Sequence, residues 1–404
     1  MKLRKYIISM TMVAALAASM LSGCGKSDQA PEPEATPTAE PVESKPPKEA
    51  EPTEVPAEQR DISELSLKEA YKDYFSMGVA ANSWQLADDS MAAMICKDYS
   101  SITMENEMKP DFVLDYDATV NSEDGLPEIN TERMDDIMTM AEDLGLKMRG
   151  HTLIWQNQTP NWLFCKKYDN TKGYVDRETM LERMEAYIKK VITFAKEKHP
   201  GTVYAWDVVN EAVSDGDDLL KTDNPWYEII GEDFVEKAFE FARKYASDDM
   251  KLFYNDYSCT DTRKSKKIYE VISKIYEQGN LDGLGMQSHY DVKYYAPASL
   301  QSVLYKYSQL EGLEIQLTEM DFHYNDNSEE SMQDQATKYK EIFEILVDMD
   351  KNGFANITNV TFWGLGDSFT WLTGFKGEDS YPLLFDQDNQ PKPCYYSIID
   401  AANS

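Results

Sequence analysis

Eight short apolar runs, spaced by segments long enough for helices, constrain this chain more than any other feature. The runs fall at residues 77–81, 101–104, 146–150, 203–208, 251–254, 283–287, 314–317 and 359–363. The clearest helical segment is 176–198, where Met180, Met184, Ile188, Val191 and Ala195 recur every three or four residues. Asp176 is placed to cap its start, and His199-Pro200 ends it. Segments 260–279 and 329–353 read the same way, each closed by a glycine. Strands that alternate with helices pair in parallel through right-handed crossovers. Eight such units predict one α/β domain, a (β/α)8 or TIM barrel spanning residues 61–404. A doubly wound open sheet is the structural alternative. The chain has neither of the Gly-rich phosphate loops, GxGxxG or GxxxxGK[ST], that would favour it.

Residues 1–60 read as an address. Lys2, Arg4 and Lys5 precede an apolar run at 6–20, and Leu21-Ser22-Gly23-Cys24 follows. That order is the shape of a secretory signal peptide at 1–23. The run is short for a membrane span, which takes about 20 apolar residues. The Leu-Ser-Gly-Cys end resembles a bacterial lipobox, which implies lipidation of Cys24 and a protein held on the outer face of the cell membrane. An ordinary signal peptide with a chance cysteine is the alternative. Residues 24–60 are rich in Pro, Glu, Ala and Thr and hold no aromatic residue. Such a segment buries too little apolar surface to offset its ordering entropy, so a disordered, extended linker is expected.

The chain carries 40 basic and 72 acidic residues, a formal charge of −32. Phosphate binding needs a basic surface, so a nucleic-acid partner is excluded. A neutral or lightly charged substrate suits this charge better than an anionic polymer. The five cysteines (Cys24, Cys96, Cys165, Cys259 and Cys394) include no CxxC pair, and only four histidines exist. No metal or cofactor is expected, and any pairing among the last four cysteines stays open.

Polar residues gather where the strands end, the place where barrels keep their chemistry. The second strand runs into Glu105-Asn106-Glu107-Met108-Lys109, and the third into His151-Thr152-Leu153-Ile154-Trp155-Gln156. The fourth reaches Asn210-Glu211, the fifth Asn255-Asp256-Tyr257, and the sixth Gln287-Ser288-His289. The seventh reaches Glu319-Met320-Asp321, and the eighth Trp363, with Trp371 beyond it. One such end is ordinary turn chemistry. Seven, mixed with tryptophan, imply a shared polar pocket, because buried strands do not carry unpartnered carboxylates or amides. Two glutamates in one pocket suit glycoside hydrolysis: one carboxyl protonates the leaving oxygen while the other attacks or stabilises the sugar carbon.

The strings ITMENEMKPD, MRGHTLIWQNQTPNW, WDVVNEA, YNDY, GMQSHY, LTEMD and TFWGLGDSFTWL, in this order, resemble glycoside hydrolase family 10. The resemblance runs from about Phe75 to the C-terminus. It implies a (β/α)8 barrel that cleaves β-1,4-xylan internally with retention of anomeric configuration. Glu211 matches the general acid/base and Glu319 the nucleophile, which implies carboxyls about 5–5.5 Å apart. Asn210 matches the amide that binds the sugar 2-hydroxyl, and His289 the histidine that orients the nucleophile, with Gln287 beside it. His151, Trp155, Asn106 and Lys109 match sugar-binding positions, while Glu105 and Glu107 leave open which one points inward. Trp363 and Trp371 match the aromatic walls whose crowding favours xylose over glucose; plain core packing is the alternative for each. Asn255 is as well suited to a structural role as to substrate contact. One position departs: the family usually has a second histidine after the Trp of HTLxW, and here Gln156 stands there, which implies an altered pH profile. The implied partners are xylan and xylo-oligosaccharides, with the membrane reached only through Cys24, and a monomer is expected. The competing functions are a non-catalytic glycan-binding lipoprotein and a related enzyme acting on β-glucan or cellulose.

Overall fold

In the computed structural model, residues 66–403 are described. The expected signal peptide, Cys24 and the linker therefore lie outside the described residues. Every apolar run forms a strand: β1 (Ser76–Ala81), β2 (Ser101–Met104), β3 (Lys147–Ile154), β4 (Val203–Asn210), β5 (Lys251–Asp256), β6 (Gly283–Met286), β7 (Glu314–His323) and β8 (Asn356–Phe362). The strands lie side by side in chain order, and β8 pairs with both β1 and β7. All of these pairings are parallel, with Gly78 opposite Thr361 at one seam and Leu317 opposite Val360 at the other. The sheet is closed, so the barrel holds and the open-sheet alternative falls.

The helices begin where side chains satisfy their free N–H groups. Asp176 accepts from the Thr179 amide at 2.9 Å and starts Arg177–Lys198, which stops at His199. Met180, Met184, Ile188, Val191 and Ala195 form its buried face. Asp261 caps Thr262–Glu277, and Ser328 caps Glu329–Lys351. Ahead of β1, the helix Leu67–Tyr71 lies on the side where the strands start. Its Leu67 amide donates to Asp98, just before β2, and the Tyr71 hydroxyl donates to the Ile398 carbonyl at 2.6 Å. Cys96, Cys165, Cys259 and Cys394 are all free thiols.

Four strands run further than the apolar patterning indicates, β5 among them in reaching Asp256. β3 continues through His151 to Ile154, β4 reaches Asn210, and β7 passes Glu319 to His323. Inward polar side chains near the barrel mouth find hydrogen-bond partners there, so polarity does not end the strand. The pairing is irregular at these ends, between His151 and Ile154, between Asp207 and Val209, and between Leu317 and Met320. Such bulges re-aim side chains and recur beside functional sites.

The barrel interior is tight where glycine lets chains approach. A Cβ on Gly283 would sit 2.7 Å from the Glu314 carbonyl oxygen and inside the surface of the Phe253 ring. Gly283→Ala is therefore expected to lower stability by about 1–3 kcal/mol through overpacking. A lower urea midpoint with an unchanged m-value is the expected result; an unchanged midpoint would show that the strands can spread at no cost.

Candidate active site

Eleven residues singled out at the strand ends, contributed by β2, β3, β4, β6, β7 and β8, line one cavity of about 640 Å³. They are Asn106, Lys109, His151, Trp155, Asn210, Glu211, Gln287, His289, Glu319, Trp363 and Trp371. Asn255 is different. It is fully buried and touches the cavity only through others: its amide donates to Glu319 at 2.7 Å and to Asn210 at 2.9 Å, while its oxygen accepts from Thr318. Of the two acidic residues after β2, Glu105 lines the cavity, whereas Glu107 turns away to accept from the Ser83 amide and hydroxyl.

The two central carboxyls have contrasting surroundings. Glu211 follows β4 with its backbone at φ 57°, a left-handed conformation that few side-chain-bearing residues adopt. Gln287 donates to its Oε1 at 2.9 Å and Asn210 at 3.3 Å, and Lys221 lies 3.9 Å from Oε2. Glu319 is buried inside β7. Its Oε2 is 3.3 Å from His289 Nε2, and His289 Nδ1 is 2.9 Å from the fully buried Asp321. Trp371 Nε1 donates to the same Asp321 oxygen at 2.9 Å. Burial by itself would raise the Glu319 carboxyl. The His289 hydrogen bond, the fields of His151 and His289 and the Asn255 amide outweigh it and hold the pKa at about 2. Burial likewise opposes charge on His289, but Asp321 and Glu319 flank it and raise it to about 10.

Below Glu319, another buried carboxylate organises β3. Asp207 pairs with the fully buried Arg149 and lies 2.9 Å from His151 Nδ1. Its backbone carbonyl accepts from Thr152 at 2.7 Å. Arg149 also donates to Gln316 and lies over the Phe253 ring. His151 presents its ring edgewise to Trp363, 5.4 Å away. Lys109 Nζ is 3.0 Å from Gln158 Oε1 and sits over the Trp155 and Trp363 rings. Burial lowers its pKa, against the pull of Glu319, Glu105 and Glu211.

Asn157, Gln158, Lys221, Ser258 and Phe375 also line the cavity and were not singled out from the sequence, and so does Tyr257, which the sequence placed at the end of the fifth strand without a role. Gln156 is not among the lining residues. Gln158, two positions on and at φ 46°, holds both Lys109 and Asn106. Lys221 returns to the site on a small hairpin in which Val213 pairs with Leu220. Lys267 pins that hairpin by donating to the carbonyls of Ser214, Gly216 and Asp218. Among the described residues, no group of three His, Cys, Asp or Glu side chains is arranged to hold a metal ion.

The family model described as Glycosyl hydrolase family 10 matches residues 66–401. Endo-1,4-beta-xylanase B of Butyrivibrio fibrisolvens is 42% identical over 344 residues, covering 84% of this chain and 54% of the relative. The chain thus spans about half the length of that protein. A putative endo-1,4-beta-xylanase of Caldicellulosiruptor saccharolyticus is 40% identical over 307 residues, which are 73% of this chain and 96% of the relative. The Clostridium thermocellum Xyn10B CBM22-1–GH10 modules complexed with xylohexaose superpose with a TM-score of 0.75 at 35% identity, covering 83% of this chain and 67% of that one. CbXyn10B in native form superposes with a TM-score of 0.73 at 35% identity, covering 83% and 98%.

The Glu319–His289 pair makes stability depend on pH in two windows. Glu319 is depressed from 4.5 to about 2, so its contribution is full above pH 4.5 and lost as pH falls through about 2. His289 is raised from 6.5 to about 10, so its contribution is full below pH 6.5 and lost as pH rises through about 10. The urea midpoint of the wild type should therefore converge on that of Glu319→Gln as the pH falls from 4.5 to 2. It should converge on that of His289→Asn between pH 6.5 and 10. Differences that stay flat across both windows would remove the electrostatic coupling.

Proposed function

The chain belongs to glycosyl hydrolase family 10, and from that premise we propose that it is an endo-1,4-β-xylanase acting by retaining double displacement. The observation that carries this reading is the contrast between the two carboxyls. Glu319 is buried and held ionised by a histidine and an amide, which suits a nucleophile. Glu211 lies on the cavity wall, less buried and bonded by the amides of Gln287 and Asn210. Two carboxyls in unlike environments divide the nucleophilic and acid/base roles.

In the first step Glu319 attacks the anomeric carbon and forms a glycosyl ester, while Glu211 gives its proton to the departing sugar oxygen. In the second, Glu211 takes a proton from water. The resulting hydroxide attacks the same carbon, and the ester bond breaks to restore Glu319. Asn210 bonds the 2-hydroxyl of the sugar at the cleavage point. His289 orients Glu319, and Asp321 holds His289. Asn106, Lys109, His151, Trp155 and Gln287 bind sugar hydroxyls and faces, and Trp363 and Trp371 leave room for xylose but not for a hydroxymethyl arm. We propose that it acts as a monomer. The xylanase relatives and the xylohexaose complex of the Clostridium thermocellum modules support xylan as substrate. We further propose that lipid on Cys24 anchors the enzyme to the outer face of the cell membrane, with 24–60 as tether. Cys24→Ala should then move the protein from the membrane fraction to the medium; retention in the membrane would remove the lipid anchor.

The purified enzyme should release short xylo-oligosaccharides from glucuronoxylan and nothing from carboxymethylcellulose. Release mainly from cellulose would keep the mechanism and overturn the substrate. Glu319→Ala should abolish turnover with the far-UV spectrum unchanged; near-normal xylan hydrolysis would sink the assignment. Glu211→Ala should lose roughly 10²–10⁴-fold on xylan yet retain the glycosylation step on aryl glycosides with good leaving groups. Equal loss on both substrates would count against its role as acid.

A further inference from the structure

Beyond the cavity, the loops that follow β1 and β8 meet in an aromatic pair that the catalytic reading does not use. Trp84 lies in the helix Ser83–Leu86 just after β1 and is 49% exposed, although it is among the largest apolar side chains of the protein. Phe369, in the segment Asp367–Phe369 after β8, meets it edge-on with ring centroids 5.2 Å apart. A contact of this kind steadies the indole, and half of its surface remains open to solvent.

The backbone beneath Trp84 is held on both sides. The Asn82 amide nitrogen donates to Gln85 at 2.9 Å, and the Ser83 amide and hydroxyl donate to Glu107. The Asn82 side chain donates to Glu105 at 2.9 Å, and Glu105 itself lines the cavity. On the other side, Phe369 lies between Trp363 and Trp371 in the chain, and both of these line the cavity. The loop that carries Trp84 is thus tied to the lining of the cleft through Asn82 and Glu105, beside Asn106. A rigid, half-exposed indole at the rim of a polar cleft matches the apolar C–H face of a sugar ring. Its backbone is already ordered, so little conformational entropy is lost on binding.

We propose that Trp84, braced by Phe369, is an additional sugar-binding platform that stacks against a xylosyl unit distal to those held in the cavity, on the side away from the leaving group. The platform makes longer chains better substrates than short ones. It rests on the reading of this protein as a xylanase.

The test uses aryl β-xylobioside and aryl β-xylotrioside, which differ by one sugar at the far end. For Trp84→Ala, kcat/KM on the xylobioside should equal that of the wild type, while kcat/KM on the xylotrioside falls by roughly fivefold to tenfold. Trp84→Phe should restore most of the loss, because it keeps an aromatic face. An equal change on both substrates, or none on either, overturns the platform. A failure to fold would lower both substrates together and show as a lost thermal transition. In that case Trp84→Phe and Phe369→Leu, read by the same ratio, decide the matter. Failure of the wild type to cleave even the xylobioside overturns the xylanase reading instead. The platform then stands or falls on whether Trp84→Ala weakens binding of xylohexaose.

Discussion

A parallel sheet that closes on itself delivers the end of every strand to the same face, and this constraint organises everything else in the molecule. Closure removes both edges of the sheet. It also fixes the neighbours of each strand, so a polar residue at the end of β4 necessarily faces one at the end of β5. Asn210, Asn255 and Gln287 show the result: three amides from adjacent strands bond one another and reach Glu211 on one side and Glu319 on the other. Neither carboxyl is positioned alone. A shift of any one of these strands would disturb both.

Closure also buries charge, and buried charge is tolerated only in company. The charges of the barrel mouth are accordingly arranged in alternating sets. Arg149 and Asp207 form one, with His151 against the same carboxylate; Glu319, His289 and Asp321 form another. Lys221 stands beside Glu211, the more exposed carboxyl. At the barrel mouth of a chain with 72 acidic residues, Arg149 and Lys221 stand beside carboxylates. The same arrangement explains how two glutamates in one cavity differ in behaviour: each is surrounded by a different balance of burial and donors.

Much of this was legible in the sequence, because strand spacing, helix caps and the order of the polar clusters are local signals. Asp176 reads as a cap from its neighbours alone. The true lengths of β3 and β7 were not legible. His151 and Glu319 look like loop residues when polarity is taken to mark the surface, yet they point into the barrel and find partners there. Asp321 was named only within its cluster, although its role could have been read: it lies two residues after Glu319 on the same strand, and a period of two puts both side chains on the same face. Lys221 could not, because it reaches the cavity through the path of a hairpin that only the assembled barrel determines. Gln158 drew no notice beside Gln156, since nothing local signals that its backbone turns left-handed and aims it at Lys109.

The helix Leu67–Tyr71 brings the chain into the barrel at the end where the strands begin, sealed by Leu67 against Asp98 and by Tyr71 against the C-terminal helix Pro393–Ala401. The cleft opens at the other end, where the strands finish. Entry and cleft therefore occupy opposite poles of the domain. The contacts that seal the barrel at its start, Leu67 on Asp98 and Tyr71 on Ile398, therefore share no residue with the lining of the cavity at its other end.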